Sequence, residues 1–254
     1  MLLFSVINWI KMCRNWPVRI LEFFGFSKEY VTYKFRNGLG LRMHGGNSDS
    51  VVLSDLYTNN PYAIENLKDG DIVVDIGAHV GIFSSLAAIS AKDVSVFSYE
   101  PTPNNFRLLK HNIRQNKLRN VKIFMRAVHK KRSVLNFFIN SAGSSGHSLF
   151  KEVPAMPSGK KIRVKTVTLP DVFKAINADK IDFLKMDCEG SEYPILMDNR
   201  DLVKKIGFIA LEWHNVKGYK VEDLVRFLKS NNFRVKKTMS GGRTMVAKNL
   251  SYKP

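Results

Sequence analysis

The segment from Val73 to Phe83 carries the pattern with the most chemical content in this sequence. An apolar run leads to Asp75, and Gly77 and Gly81 follow shortly after it. This order of residue types predicts a buried strand that turns through glycine into a helix. Ligands of doubly wound α/β sheets bind at such turns, where Gly77 lets a ligand lie against bare backbone and Gly81 lets the helix approach the strand.

The spacing of this turn separates two classes of nucleotide ligand. A dinucleotide site needs G-x-G-x-x-G, whose second glycine admits the pyrophosphate, but His79 occupies that position here. A sulfonium nucleotide has no phosphate, and it carries positive charge on its sulfur and its amino group. Asp75 and the lack of Lys or Arg in the turn suit that charge. The turn therefore favours a sulfonium nucleotide, while a glycine turn without a ligand stays open as the alternative.

A second acid, Glu100, ends the next apolar run of the sequence. It lies about twenty residues beyond the turn, at the offset where the ribose of a nucleotide needs an acceptor. Its carboxylate can accept hydroxyl protons, and Pro101 and Pro103 stiffen the segment that follows. After the third predicted strand, Ala127 and Val128 are small and apolar enough for an adenine ring to lie against them.

Two further predicted strands end in acids and a histidine. Asp187 and Glu189 follow one of them, and Glu212 and His214 end the other. Because the carboxyl ends of parallel strands meet at one edge of a sheet, these side chains should lie beside the glycine turn. Methyl transfer from a sulfonium nucleotide is an in-line displacement, which needs a positioned nucleophile and a base for its proton. We predict Asp187, His214 and Glu189 as the catalytic residues.

His214 is the predicted base, because an unperturbed imidazole has a pKa of about 6.5. Asp187 would orient His214, bind the acceptor hydroxyl or hold a cation. A histidine packed beside Trp213 without a catalytic role is an equally open alternative. The Asp-x-Glu pair with a histidine also suits a divalent metal, but the sequence contains no closed set of ligands, and we predict no metal site.

Alternating strands and helices must position these residues. From Asp71 onward short β-branched runs alternate with helical stretches, the pattern of right-handed βαβ units around a parallel sheet. Strands are predicted at Ile72–Ile76, Val94–Tyr99, Val121–Met125, Ile181–Met186 and Ile206–Glu212, and helices begin near Val80, Pro103, Ser191 and Val221. Two β-like runs, Val134–Ile139 and Ile162–Val167, flank Ser141–Pro157, whose Gly, Ser and Pro content predicts a lid loop.

Residues 1–68 are predicted to cover a catalytic domain of residues 69–254. Cations interrupt the apolar stretch Met1–Phe26 well before the roughly 20 residues that a transmembrane helix needs. We interpret this stretch as one amphipathic helix packed on the domain, and peripheral contact with an anionic membrane stays open.

Turn and cap residues predict the rest of this cover. Asn37-Gly38 supplies the positive φ angles of a tight turn, so Tyr30–Phe35 and Leu39–Met43 are predicted to form a β-hairpin. A helix is predicted over Ser48–Tyr57, and Asn60-Pro61 is typical of the cap and first-turn proline of another helix.

The composition leaves the partner open. Lys and Arg outnumber Asp and Glu by 40 to 22, and the net charge of +18 favours anionic partners. The cations form no dense run, so a solvated basic surface explains them as well as a nucleic-acid interface does. Asn59-Asn60-Pro61-Tyr62 resembles the Asn-Pro-Pro-Tyr loop that grips a flipped base, but that loop belongs after the fourth strand, so nucleic acid is not the favoured partner. Cys13 and Cys188 provide no disulfide framework, which suits the cytoplasm.

Four sequence blocks resemble the FkbM family of S-adenosylmethionine-dependent methyltransferases. The blocks are Asp71–Gly81, Tyr99–Phe106, Val167–Asp171 and Ile181–Glu192, within a resemblance that spans about Tyr33 to His214. The resemblance implies a class I methyltransferase, with a doubly wound, mostly parallel, seven-stranded α/β sheet and an N-terminal helix and β-hairpin extension. Its cofactor would be S-adenosyl-L-methionine.

The resemblance also implies roles for the cofactor site. The methionine part would lie at the glycine turn, the ribose at the second acid and the base after the third strand. The predicted cofactor-binding residues are Asp75, Gly77, Ala78, His79, Gly81, Glu100, Pro101, Ala127 and Val128. His79 departs from the asparagine usual in the family. We expect O-methylation of a sugar, glycan, lipid or secondary metabolite, with an RNA or DNA methyltransferase and a binding module without turnover as alternatives.

Overall fold

A computed structural model describes residues 2–46, 48–139, 147–149, 160–237 and 243–253 of the chain. The α-helices are α1 (Leu2–Met12), α2 (Pro17–Phe23), α3 (Ser48–Thr58), α4 (Ile82–Ser90), α5 (Pro103–Gln115), α6 (Leu169–Ile176), α7 (Glu192–Met197), α8 (Arg200–Val203) and α9 (Val221–Ser230). The strands are β1 (Tyr30–Lys34), β2 (Gly40–His44), β3 (Ile72–Ile76), β4 (Ser95–Tyr99), β5 (Val121–Phe124), β6 (Ala127–Val128), β7 (Ser133–Phe138), β8 (Lys161–Val167), β9 (Ile181–Met186), β10 (Ile206–Glu212), β11 (Phe233–Lys237) and β12 (Thr244–Asn249).

The central sheet has seven strands in the order β11-β12-β10-β9-β3-β4-β5. Strands β5, β4, β3, β9 and β10 run parallel to one another, whereas β12 pairs antiparallel with both β10 and β11. The predicted mostly parallel α/β sheet is therefore confirmed. Its strand order reverses between β3 and β9, so the crevice where ligands bind in such sheets lies at the carboxyl ends of these two strands.

A second sheet of three strands, in the order β6-β8-β7, lies beside the crevice. Strands β7 and β8 occupy the two β-like runs predicted on either side of Ser141–Pro157. Of that predicted lid loop, residues 147–149 are described, and the remainder lies outside the described residues. Ser148 forms a β-bridge with Phe138, and its Oγ donates to the carbonyl oxygen of Glu189 at 2.6 Å. The described part of the loop therefore contacts the segment that follows β9.

The N-terminal extension departs from its prediction in two places. Met1–Phe26, expected as one helix, contains two, because the chain leaves α1 at Cys13, which bridges to Phe35, and α2 starts at Pro17. The prediction of an α-helix at Asn60-Pro61 is wrong, because positive φ angles there lead into a short 3-10 helix over Ile64–Asn66. The predicted β-hairpin is confirmed as the antiparallel pair β1 and β2.

Hydrophobic cores lie on both faces of the central sheet. Trp9 and Tyr33 of the N-terminal extension pack in the same core as Val73 and Phe183 of the sheet. Val74, the next residue of β3, belongs to the core on the opposite face, as the alternation of strand side chains requires. The extension is therefore held to the sheet by a shared core, while the predicted boundary at residue 68 stays a prediction.

Candidate active site

Backbone contacts fix the turn that follows β3. The N–H groups of Gly77 and Ala78 both donate to the carbonyl oxygen of Tyr99 at 3.0 Å, which holds the turn against the end of β4. Gly77 has a φ angle of 79°, and a Cβ added there would lie 1.8 Å from the carbonyl oxygen of Asp187. The end of β9 therefore requires glycine at this position. The sequence indicated a different reason for glycine here, namely that a ligand lies against the bare backbone, and the contact with β9 is a second reason.

Alanine at position 77 is expected to lower the free energy of unfolding by about 1–3 kcal/mol more than alanine at position 70. Gly70 is the matched control, because its φ angle is 82° and an added Cβ meets no atom within 4 Å. Both substitutions carry the strain of a left-handed alanine, but only Gly77→Ala also overlaps the backbone of Asp187. Urea unfolding of the two variants measures the difference, and equal losses would contradict the close contact.

Asp75 lies behind this turn with its side chain fully buried. Its carboxylate accepts a hydrogen bond from Ser84 Oγ at 2.6 Å and forms an ion pair with Lys185 Nζ at 3.2 Å. Lys185 also donates to the carbonyl oxygen of Gly77 at 2.7 Å. The carboxylate therefore faces Ser84 and Lys185 and holds the turn in place through the lysine, while its predicted contact with the cofactor stays a prediction.

A cavity of about 890 Å³, counted with its open mouth, lies at the carboxyl ends of β3, β4 and β9. Most of the predicted site residues line it: Gly77, Ala78, His79, Glu100, Pro101, Ala127, Val128, Asp187 and Glu189. Asp75, Gly81 and His214 lie outside this lining. An added Cβ on Gly81 would lie 2.5 Å from Leu109 Cδ1. Gly81 therefore serves close packing of α4 on α5, and the cofactor contact implied for it stays a prediction.

Glu100 lines the cavity at the end of β4 and is buried. Its Oε1 accepts from the backbone N–H and the hydroxyl of Thr102, at 2.9 and 2.5 Å, and its Oε2 accepts from the His79 N–H at 2.9 Å. Burial raises the pKa of Glu100, and the hydrogen bond from Thr102 opposes that shift. These contacts fix the carboxylate and leave Oε2 with capacity for a further donor.

His79 also ties the turn to the N-terminal extension. Its Nε2 lies 3.6 Å from Oδ1 of the buried Asp49 in α3, and Oδ2 of Asp49 lies 3.0 Å from His44 Nδ1. His79 itself has a φ angle of 54°. The side chain at the position where the family usually has asparagine thus contacts α3, while its backbone N–H contacts Glu100.

Glu189 lines the cavity after β9, and His214 lies behind it. His214 Nε2 is 3.2 Å from Glu189 Oε2, and His214 Nδ1 is 3.2 Å from Glu192 Oε1. Glu192 is fully buried and also accepts the backbone N–H groups of Cys188 and Gly190, each at 2.9 Å. Glu192 therefore positions both the imidazole and the loop that carries Glu189.

The carboxylates around His214 shift its pKa, which bears on the role of base predicted for it. Burial opposes the imidazolium, but the hydrogen bond to Glu192 and the charges of Glu192 and Glu189 raise the pKa of His214 to about 10. Burial raises the pKa of Glu189 to about 8, against the opposing charge of His214. A raised pKa favours the protonated imidazole at neutral pH and weighs against His214 as the base, while the roles predicted for Asp187, Glu189 and His214 stay predictions. Of these three residues, Asp187 and Glu189 line the cavity, and their carboxylates are groups that can accept a proton there.

Asp187 lines the cavity beside Glu189, and a residue of the N-terminal extension holds its side chain in place. The Tyr62 hydroxyl donates to Asp187 Oδ2 at 3.1 Å. One atom each of Asp187, Glu189 and His214 lies within 4.8 Å of the others, a spacing that also suits a divalent cation. The absence of a metal site, predicted from the sequence, stays a prediction.

Sequence reasoning missed Lys185, Glu192 and Tyr62 as residues of the site. Lys185 did have a signal, because a lysine inside the apolar run of a buried strand needs a partner for its charge. Glu192 lies in the block most typical of the family, but its partner His214 is 22 residues away. Tyr62 is 125 residues from Asp187, and only the packing of the extension brings them together.

The strand order, with one antiparallel strand among parallel ones, and the position of the cavity define the Rossmann-like fold of class I methyltransferases. The chain belongs to the FkbM family within this class, because the family model described as "Methyltransferase FkbM domain" matches residues 75–235. The resemblance that the sequence blocks indicated is therefore confirmed.

Individual relatives agree with this family. The 31-O-demethyl-FK506 methyltransferase FkbM of Streptomyces tacrolimicus is 23% identical over 232 residues, which cover 80% of this chain and 89% of that protein. The hexuronic acid methyltransferase AglP of Haloferax volcanii is 21% identical over 202 residues, covering 77% and 74%. A crystal structure of methyltransferase FkbM from Methylobacillus flagellatus matches with a TM-score of 0.50 and 16% identity, over 72% of this chain and 44% of that one. At this identity the structural match shows the fold alone.

Proposed function

We propose that this protein transfers a methyl group from S-adenosyl-L-methionine to a hydroxyl oxygen of a sugar, glycan, lipid or secondary metabolite. The observation that carries the proposal is a single cavity lined by Glu100 at one strand end and by Asp187 and Glu189 at another. Membership of a methyltransferase family supports the transfer. Relatives named for hexuronic acid and for 31-O-demethyl-FK506 support an acceptor other than nucleic acid.

The residues of the cavity fit this cofactor. Glu100 Oε2 retains capacity for a ribose hydroxyl, and the buried Ala127 and Val128 offer an apolar wall to the adenine ring. When bound, S-adenosyl-L-methionine supplies an electrophilic methyl group on a positively charged sulfur. Asp187 and Glu189 place negative charge in the same cavity, which favours a cationic ligand.

The acids after β9 would activate the acceptor. In its ionised form Glu189 would take the proton of the acceptor hydroxyl at a carboxylate oxygen, while the hydroxyl oxygen would bond to the methyl carbon and the sulfur would leave as a neutral thioether with the electrons of the broken C–S bond. The protonated His214, held by Glu192, orients the Glu189 carboxylate from behind. Asp187, fixed by Tyr62, binds and orients the acceptor hydroxyl.

A screen for transfer of an isotopically labelled methyl group tests the function. The acceptors are neutral sugars, uronic acids, lipid-linked glycans, hydroxylated secondary metabolites and RNA. We expect label on a hydroxyl oxygen of a non-nucleic acceptor, assigned by mass spectrometry and NMR. Transfer to RNA alone would instead support the nucleic-acid alternative raised by the net charge of +18. Cofactor binding without transfer to any acceptor would support a binding module.

Glu100→Gln is expected to weaken binding of S-adenosyl-L-methionine by about 10- to 100-fold. The substitution removes the charge of one hydrogen-bond acceptor for the ribose, a contact of about 1.5–3 kcal/mol. Isothermal titration calorimetry measures the affinity, and thermal unfolding checks that the variant is folded. Glu222→Gln, on the exposed first turn of α9, is the control and should bind as the parent does. An unchanged affinity in Glu100→Gln would remove Glu100 from the cofactor site.

A further inference from the structure

Four large apolar side chains are exposed where α2 ends. Leu21, Phe23, Phe24 and Phe26 are 51, 58, 66 and 76% exposed, and we call these four residues the aromatic patch. The rings of Phe23 and Phe24 meet edge to face, with centroids 5.5 Å apart. Four large apolar side chains exposed within six residues are a feature of interaction sites.

The protein holds the aromatic patch in a defined conformation. Glu22, which lies between its members in sequence, is buried and accepts hydrogen bonds from the Tyr33 hydroxyl and from the Gly46 N–H. The Phe26 N–H donates to the carbonyl oxygen of Leu21 at 2.8 Å, so the turn after α2 closes on the helix itself. Because Glu22 anchors one side of α2 to the hairpin, the apolar side chains face outward.

Basic residues outnumber acidic ones in the segment that carries the aromatic patch. Residues 1–29 contain four basic residues, Lys11, Arg14, Arg19 and Lys28, and two acidic residues, the buried Glu22 and the exposed Glu29. Lys11, Arg14 and Lys28 are exposed. Aromatic and leucine side chains beside exposed cations are the combination that binds the interface of an anionic bilayer.

We propose that the aromatic patch inserts into the headgroup region of an anionic lipid bilayer and that the exposed basic residues of the same segment bind its acidic lipids. The net charge of +18 favours this occupant over a second copy of the chain, which would carry the same charge. The contact is peripheral, since within the described ranges every helix is too short or too polar to traverse a bilayer. This inference stands independently of the methyl acceptor.

Sedimentation with lipid vesicles tests the inference. We expect the protein to bind vesicles that contain phosphatidylglycerol, to bind vesicles of phosphatidylcholine alone at least about tenfold more weakly, and to lose binding in high salt. Phe24→Ser/Phe26→Ser should lose at least about tenfold in affinity for the anionic vesicles. The matched control, Ile89→Ser/Val134→Ser, removes two apolar side chains exposed elsewhere, at 42 and 44%, and should bind as the parent does.

Three outcomes would overturn the inference. The first is that the parent protein fails to sediment with the anionic vesicles. The second is that Phe24→Ser/Phe26→Ser and Ile89→Ser/Val134→Ser bind these vesicles equally. The third is a dimer, seen by light scattering after size exclusion, that Phe24→Ser/Phe26→Ser dissociates, because the aromatic patch would then bind a second copy of the chain. Circular dichroism of both variants confirms that the comparison is made between folded proteins.

Discussion

Glu189→Gln is expected to lower kcat for methyl transfer by about 10²- to 10⁴-fold, the contribution of a general base. Glutamine keeps the size of the side chain but cannot take the acceptor proton. The affinity for S-adenosyl-L-methionine should fall far less than kcat, because Asp187 still places negative charge in the cavity. Calorimetry and single-turnover kinetics separate the two effects.

The pH dependence of kcat identifies the base. Burial raises the pKa of Glu189 to about 8, so the active, ionised form accumulates and kcat rises as the pH increases through about 8. The pKa of His214 is raised to about 10, and kcat should fall as His214 loses its proton above that value. The rising limb should disappear in Glu189→Gln. A limb near pH 6.5 that survives in this variant would return the role of base to His214.

Two controls test the assignment of Glu189 as the base. Glu222→Gln removes an exposed carboxylate of α9 and should keep the kcat of the parent. Assays in EDTA address the spacing of Asp187, Glu189 and His214, which also suits a divalent cation. Turnover that is lost in EDTA and restored by Mn²⁺ would indicate a bound cation at these residues. It would contradict the proposal that Glu189 acts as the base.

Lys185→Met is expected to lower the free energy of unfolding by about 3–5 kcal/mol, because it leaves Asp75 buried without its counter-charge. Lys185 is 4% exposed, with Nζ 3.2 Å from Asp75 and 2.7 Å from the Gly77 carbonyl oxygen. Burial opposes its charge, but Asp75 and Asp187 raise its pKa, so the lysine is charged at neutral pH. The hydrogen bond from Ser84 would be the remaining support of the Asp75 carboxylate.

Urea unfolding of two further variants separates the buried charge from the loss of the lysine stem. Asp75→Asn/Lys185→Met removes both charges of the ion pair and should lose less stability than Lys185→Met alone. Lys204→Met breaks an exposed ion pair with Asp201 and should change the stability by no more than about 0.5 kcal/mol. A similar, small loss in Lys185→Met and Lys204→Met would show that the ion pair beneath the turn is unimportant.

The parallel part of the fold was predictable from local sequence. Strand β3 is buried along almost its whole length, and so are β4 and β9, so each has a mostly apolar sequence that is followed by polar residues. The positions of Glu100, Asp187 and Glu189 then follow, because parallel strands bring their carboxyl ends to one edge. This regularity explains why the cavity contains most of the residues predicted for it.

The errors arose where tertiary contacts decide the outcome. The break between α1 and α2 depends on a bridge between Cys13 and Phe35, which the helical pattern of the sequence cannot reveal. The sequence pattern at Asp75 indicated a ligand contact and gave no sign of the ion pair with Lys185 of β9, which lies 110 residues further along the chain. An isolated imidazole has an ordinary pKa, and the sequence could not show that Glu192 and Glu189 lie near His214 and raise its pKa.

A crystal structure with S-adenosylhomocysteine tests the central claim most directly. We predict the ribose hydroxyls within hydrogen-bond distance of Glu100, the adenine against Ala127 and Val128, and Asp187 and Glu189 lining the space next to the sulfur. The ligand bound outside this cavity, or bound within it with Glu100 making no contact to the ribose, would contradict the assignment of the site.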